Sequence, residues 1–306
     1  MKKRFDVLGL GAVAVDELIL AEQYPLPDSK ARVLRVLRQC GGLTGTALLD
    51  ASRLGGKRAS PGMLGTDDLS QFALGELKRE GVNLRYLKRH SEAAPPHSFI
   101  IVDARRQTRN VFSHRPPKGG PVPNWPSKAV ILSSRVLLVD HFGDIGATLR
   151  AARIARDHSI PVVADFERES GPEFPRLLEM ADHLILSATF AATLTGESSP
   201  RRSVEKLWAT AQRSLVAVTA GKRGCWFRAT EGSRIVHQPA FEVQTVDTTG
   251  CGDVFHGAYA AALAKGFAIK ECIRRAAAAA ALKAARFGTQ DGIPTATELL
   301  HFLRSK

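Results

Sequence analysis

Short apolar runs alternate with amphipathic segments along most of the chain. The runs at Phe5–Leu10, Val136–Val139, Ile160–Asp165, His183–Ser187 and Val216–Thr219 have the length of strands. Between them, apolar positions recur at helical spacing over Thr44–Leu54, Ser70–Glu80, Ile145–Asp157 and Ser203–Gln212. This alternation is the signature of βα units and predicts an α/β fold, a mainly parallel central sheet flanked by helices. Two further helices, Asp253–Lys265 and Ile269–Arg286, fill the last third. The alanine run Ala276–Ala281 in the second predicts close helix packing, alanine being the strongest helix former.

Two stretches break that rhythm. Ala31–Gln39 alternates apolar and basic residues, and Ser98–Val102 with Thr108–Phe112 reads as a hairpin around Asp103–Gln107. Strands with one polar face do not belong inside a doubly covered parallel sheet. They predict a small β-sheet lid, formed by about residues 13–40 and 97–115 of a single 1–306 domain. The Pro/Gly-rich segment Pro116–Pro126 then returns the chain to the core. Exposed lid edges would also let two copies pair as a homodimer.

Composition narrows the class. Apolar residues make up 44% of the chain and charged ones 24%, which suits a soluble globular protein. Four scattered cysteines with no metal-ligand spacing predict reduced thiols and a cytoplasmic protein. The basic start resembles an export signal, but Asp6 precedes its short apolar stretch, which Gly9 and Gly11 break. No apolar run has the length of a membrane span. The net charge of +13 is dispersed, without basic and aromatic residues interleaved, so it predicts attraction of small anions such as ATP rather than nucleic-acid binding.

The chemistry concentrates at Asp247-Thr-Thr-Gly-Cys-Gly-Asp253, directly before an apolar helix. Gly250 and Gly252 permit a tight turn whose amides point one way, and a helix start adds its positive dipole end. Gly250, Cys251 and Gly252 therefore form a candidate anion cradle, with Asp253 beside it to take a proton from an attacking hydroxyl. An ordinary helix N-terminus has much the same composition. Cys251 is a thiol at a helix start, and His256 packs or lines the pocket.

These residues resemble the Asp-Thr-x-Gly-Ala-Gly-Asp signature of ribokinase-like (PfkB-type) carbohydrate kinases, with Cys251 in the alanine place. The resemblance implies a ribokinase-like fold and an ATP- and Mg2+-dependent kinase acting on a sugar hydroxyl, with Asp253 as catalytic base. It covers nearly the whole chain, in order. Asp16, in the opening strand and turn, matches the family's sugar-binding aspartate. Gly41 and Gly42 match its Gly-Gly substrate motif, and Thr46 falls where the family has asparagine. Thr219, Gly221 and Gly224 resemble its nucleotide-binding element, and Gly288 belongs to its familiar ending. The family's first motif aspartate helps organise a monovalent-cation loop, which makes Asp247 and Thr249 candidates around K+.

Some positions depart. The family's Asn-x-x-Glu, part of its Mg–phosphate network, falls on Ser187 and Phe190, so that network must be altered or supplied elsewhere, with Glu167 and Glu169 as candidate substitutes. Thr46, Val246-Asp-Thr-Thr and Val-Phe-His-Gly resemble a branch containing sulfofructose kinase. Of that branch's sulfonate grip only Lys30 matches, because the other two positions hold Phe142 and Phe112. A ketose or other furanose-like sugar is the expected acceptor. Two other readings stand beside the kinase. The altered residue 190 would suit a non-catalytic sugar or nucleotide sensor on a kinase fold. Gly9-x-Gly11-x-x-Ala14, with Asp28 as ribose acid, would suit an NAD-dependent oxidoreductase, although Val15–Leu20 reads as a strand and not a crossover helix.

Overall fold

The computed structural model describes residues 3–230, 232 and 234–306. The chain begins with strands β1 (Phe5–Leu10), β2 (Ala14–Ala21) and β3 (Val33–Gly41), then helix α1 (Leu43–Arg53). There follow β4 (Arg58–Ala59), β5 (Met63–Leu64), α2 (Asp68–Arg79), β6 (Lys88–Arg89) and the hairpin β7 (His97–Asp103) and β8 (Thr108–His114). The middle runs α3 (Lys128–Leu132), β9 (Ser134–Asp140), α4 (Ile145–Arg156), β10 (Val162–Phe166), α5 (Phe174–Glu179), β11 (His183–Ser187), α6 (Ala188–Thr195) and α7 (Pro200–Thr210). The last part holds β12 (Leu215–Thr219), β13 (Cys225–Ala229), β14 (Val236–Gln238), α8 (Cys251–Ala264), α9 (Ile269–Ala284) and α10 (Ala296–Arg304).

The main sheet has eight strands in the order β14-β13-β12-β11-β10-β9-β1-β4. It is parallel from β12 through β4, and β13 and β14 add antiparallel at one edge. Successive residues of each central strand point to opposite faces, and both faces are covered, which is why those strands read as continuous apolar runs. One face packs Val7, Leu138, Val163 and Ile185 against α1, α2, α8, α9 and α10. The other packs Leu8, Val139, Ala164 and Leu184 against α3 through α7. The alanines of α9 lie buried in the first of these cores beside α8, as the run predicted.

A separate four-stranded sheet, β3-β2-β7-β8, stands apart from the main one. Its buried face centres on Leu18, Ile100 and Val102. The third sheet is the small parallel pair β5–β6.

Element boundaries shift for local reasons. β10 starts at Val162 and not at 160, since Pro161 has no N–H to donate to a ladder. α8 starts at Cys251, two residues before Asp253, because Gly250 in the left-handed region (φ 75°) turns the chain into the helix. Helices α3, α5, α6 and α10 escaped the pattern. α10 nevertheless carries a sequence signal, Thr295 and Glu298 forming a reciprocal capping box.

Candidate active site

A cleft of about 670 Å³ lies where the small sheet faces the carboxyl ends of the main strands. Its floor comes from the residues just past β1, β9, β10, β11 and β12: Ala12, His141, Glu167, Ala188 and Ala220 all line it. Carboxyl ends of parallel strands are where open α/β sheets collect ligand-binding loops. Its roof comes from Ser98 and Ile100 of β7, the adjacent Arg109, Val111 and Ser113 of β8, and Arg115 just after it. The N-terminus of α8 closes the middle.

Of the residues predicted from sequence, Asp16, Gly42, Thr219, Gly221, Thr249, Gly250, Gly252 and Asp253 line this one cleft. Gly41 stands directly behind Asp16, where a Cβ would collide with the carboxylate. Thr46 is fully buried under the turn, its methyl near Gly250 and its hydroxyl without a partner, so it does not reach the cleft. Lys30 is exposed on the loop between β2 and β3 and does not line the cleft. Gly224 shapes the turn into β13, where any Cβ would strike Gln238 O. Of the two acids proposed for the Mg–phosphate network, Glu167 lines the cleft and Glu169 does not. Phe190, in α6, is buried against Phe174 with ring centroids 6.1 Å apart.

The first turn of α8 leaves donors free. Cys251 N–H turns back on Thr248 O at 3.3 Å. The amides of Gly252 and Asp253 have no carbonyl in a preceding turn and face the cleft end of the helix. Beneath them, buried His256 places Nδ1 2.8 Å from Gly252 O and 3.1 Å from Asp165 Oδ2, and Nε2 3.0 Å from Ile185 O. His256 therefore supports the catalytic turn from below and is not a cleft residue.

Burial sets the acid–base character of the site. It lifts the Asp253 carboxyl well above the usual carboxylate range, with Asp165, Glu167 and Asp16 adding to the rise and Arg109 opposing it. Burial pushes Asp16 up to about 7 against its bonds from Ser98 and Thr289. It pushes the Cys251 thiol up to about 11, so that thiol stays protonated near neutral pH despite its place at a helix start.

Asp247 is fully engaged. Its Oδ1 accepts from Thr249 N at 2.8 Å, and its Oδ2 accepts from Gly288 N at 3.0 Å and from the Lys283 ammonium at 3.3 Å. Lys283 Nζ also donates to Asp247 O at 2.9 Å. A bound K+ with Asp247 as ligand does not fit this arrangement, because a side-chain cation already stands against the carboxylate.

Sequence reading missed Asp140, Arg109, Arg115 and Thr289. Asp140 closes β9 and gathers Ala12 N, Thr44 Oγ1 and Phe142 N at 2.7–2.9 Å, joining the opening turn to α1. Its signal was a polar residue at the carboxyl end of a parallel strand. Residues 109, 111 and 113 alternate along β8 and Arg115 follows directly after it, so both arginines line the cleft. Arg109 reaches Thr248 Oγ1 at 2.7 Å, tying the small sheet to the catalytic turn.

A parallel sheet, a small sheet over its carboxyl edge and a helix N-terminus with a carboxylate between them define the ribokinase fold. The ribokinase of Arabidopsis thaliana, solved with ribose and ATP, superposes with a TM-score of 0.83 at 21% identity, covering 99% of each chain. The chain belongs to the pfkB family of carbohydrate kinases, whose profile matches residues 6–296. It is 28% identical to Bacillus subtilis ribokinase (96% of this chain, 98% of that one) and 27% identical to Zea mays fructokinase-1 (97% of each). It is accordingly an ATP-dependent carbohydrate kinase. Among the described residues no helix is long and apolar enough to cross a membrane, and no cluster of three or more metal-ligating side chains occurs.

Proposed function

We propose that the protein transfers the γ-phosphoryl group of ATP in line to a hydroxyl of a small ketose or other furanose-like sugar, with Asp253 as general base. One observation carries this reading. Asp253 and the start of α8 line the same cleft as Asp16 and Gly42 and as Thr219 and Gly221. Asp16 and the Gly41-Gly42 backbone hold the acceptor, and Asp253 takes its proton as the oxygen attacks. The amides and the helix dipole receive the charge that develops on the transferred group. Mg2+ arriving with the nucleotide supplies charge neutralisation at the phosphates. Glu167 fits as its protein support, since it is an exposed acid that lines the cleft. The small sheet acts as the lid that excludes water, with Arg109 as its latch on Thr248.

The relatives are named for ribose and for fructose, so both sugars head the panel for a phosphoryl-transfer screen with Mg·ATP, alongside aldoses, sugar phosphates and nucleosides. Asp253→Asn is expected to lower turnover by about a thousandfold or more with nucleotide affinity retained. Turnover at the wild-type level would remove Asp253 from the mechanism. Binding of sugar and ATP with no transfer by the wild type would leave a sensor in place of an enzyme.

A further inference from the structure

We propose that Lys283 is a built-in monovalent cation, whose ammonium organises the catalytic turn in place of K+ and frees the enzyme from dependence on an alkali metal. Lys283 lies in the last turn of α9 with no exposed surface, and it forms a buried ion pair with Asp247. The space around its head group has the chemistry of a monovalent-cation site. One carboxylate oxygen of Asp247 and its main-chain carbonyl face Nζ directly. Gly292, in the 286–292 loop, lies against the end of the same side chain and against two carbonyls of that loop. A Cβ on Gly292 would lie 2.7 Å from Gly288 O, 3.1 Å from Lys283 Cε and 3.4 Å from Arg286 O. The partial negative charge at the end of α9 falls at the same place. A buried carboxylate, a main-chain carbonyl and a helix C-terminus at one place need a single positive charge, and the lysine supplies it covalently.

The charge has structural consequences for the active site. Val246 N and Asp247 N both donate to Ala284 O, so the segment entering the catalytic turn is tied to the end of α9. Asp247 Oδ2 also takes Gly288 N, which fixes the loop carrying Thr289. Thr289 Oγ1 in turn reaches Asp16 Oδ2 at 3.4 Å, and a Cβ on Gly250 would lie 2.9 Å from the Thr289 methyl. Lys283 thus acts as a positioning residue: through Asp247 it holds the anion cradle, and through Thr289 it holds the sugar-binding carboxylate.

The test compares K+ with tetramethylammonium at constant ionic strength, reading melting temperature and, with the best acceptor from the sugar panel, turnover. The wild type is expected to show the same melting temperature and the same turnover, within about twofold, from no K+ to about 100 mM. Lys283→Ala, which opens space, is expected to melt several degrees lower without K+, to regain part of that shift with K+ or NH4+, and to lose about tenfold or more in turnover that K+ partly restores. Lys283→Met fills the space without charge and is expected to show the loss but no rescue. Activation of the wild type by K+ of about tenfold or more would overturn the proposal, as would a Lys283→Ala protein that matches the wild type without K+. Should both single variants fail to fold, Asp247→Asn with Lys283→Met removes the pair together; wild-type turnover in that protein would also overturn it. The effect on turnover rests on the kinase reading. The melting curves do not, so absence of any sugar phosphorylation would strike that reading alone and leave the cation question to be decided by stability.

Discussion

Asp253 has to serve as a base where burial and three neighbouring acids favour its protonated form. A base acts only when ionised, so turnover should fall as pH drops through its raised pKa, on an acid limb well above the ordinary carboxylate range near 4. Arg109 pulls the other way, and Arg109→Ala is expected to move that limb to still higher pH while loosening the tie to Thr248. A pH–rate profile of both proteins checks this; a limb near pH 4, or one unmoved by the substitution, would contradict it. Most of the residues at this scale were readable because their chemistry is local: glycines, an aspartate and a helix start within seven positions. Asp140, Arg109 and Arg115 were not, since their use depends on strands far apart in sequence meeting at one cleft.

Among the elements, α1 and α8 pack closely enough that a Cβ on Gly257 would strike Ala47 O. Asp50 of α1 is sealed into this contact with both carboxylate oxygens unpartnered, and burial raises its pKa well above the usual value. A raised pKa in the folded state means stability that is complete below the unfolded pKa and is lost as pH rises towards the folded one. Asp50→Asn keeps the shape and removes the titration. Its stability relative to wild type should therefore grow between pH 5 and 8 by up to about 1.4 kcal/mol per pH unit. Urea unfolding at the two pH values measures it, and a difference that stays constant would refute the assignment. Nothing in the sequence marked Asp50, because a polar residue inside a helical pattern is silent about what packs over it. The strands were legible for the opposite reason: a sheet covered on both faces imposes apolar runs that need no knowledge of partners.

Viewed as a whole, the small sheet has two different faces. Its register sets Ile19 beside Val36 and Ile101, and Phe99 opposite Phe112, on the face away from the buried Leu18, Ile100 and Val102. Val36 is 59% exposed, Phe99 44% and Phe112 52%. Contiguous apolar side chains on a sheet surface favour burial against another surface, and we propose a homodimer through this face. Light scattering should give twice the chain mass of 33.1 kDa. Phe112→Lys combined with Val36→Lys should return it to the monomer. A wild-type monomer at micromolar concentration would dispose of the idea.

By itself the sequence determined the order of βα units, the presence of a second sheet and the turn that carries Asp253, because hydrophobic period and turn chemistry act over a few residues at a time. Tertiary structure decided which charges meet: two arginines over the cleft, three acids around the base, and a lysine 36 residues from Asp247 standing beside it. Those pairings depend on distance through space, and electrostatic energy inside a protein follows that distance and the surrounding burial, neither of which a linear pattern encodes.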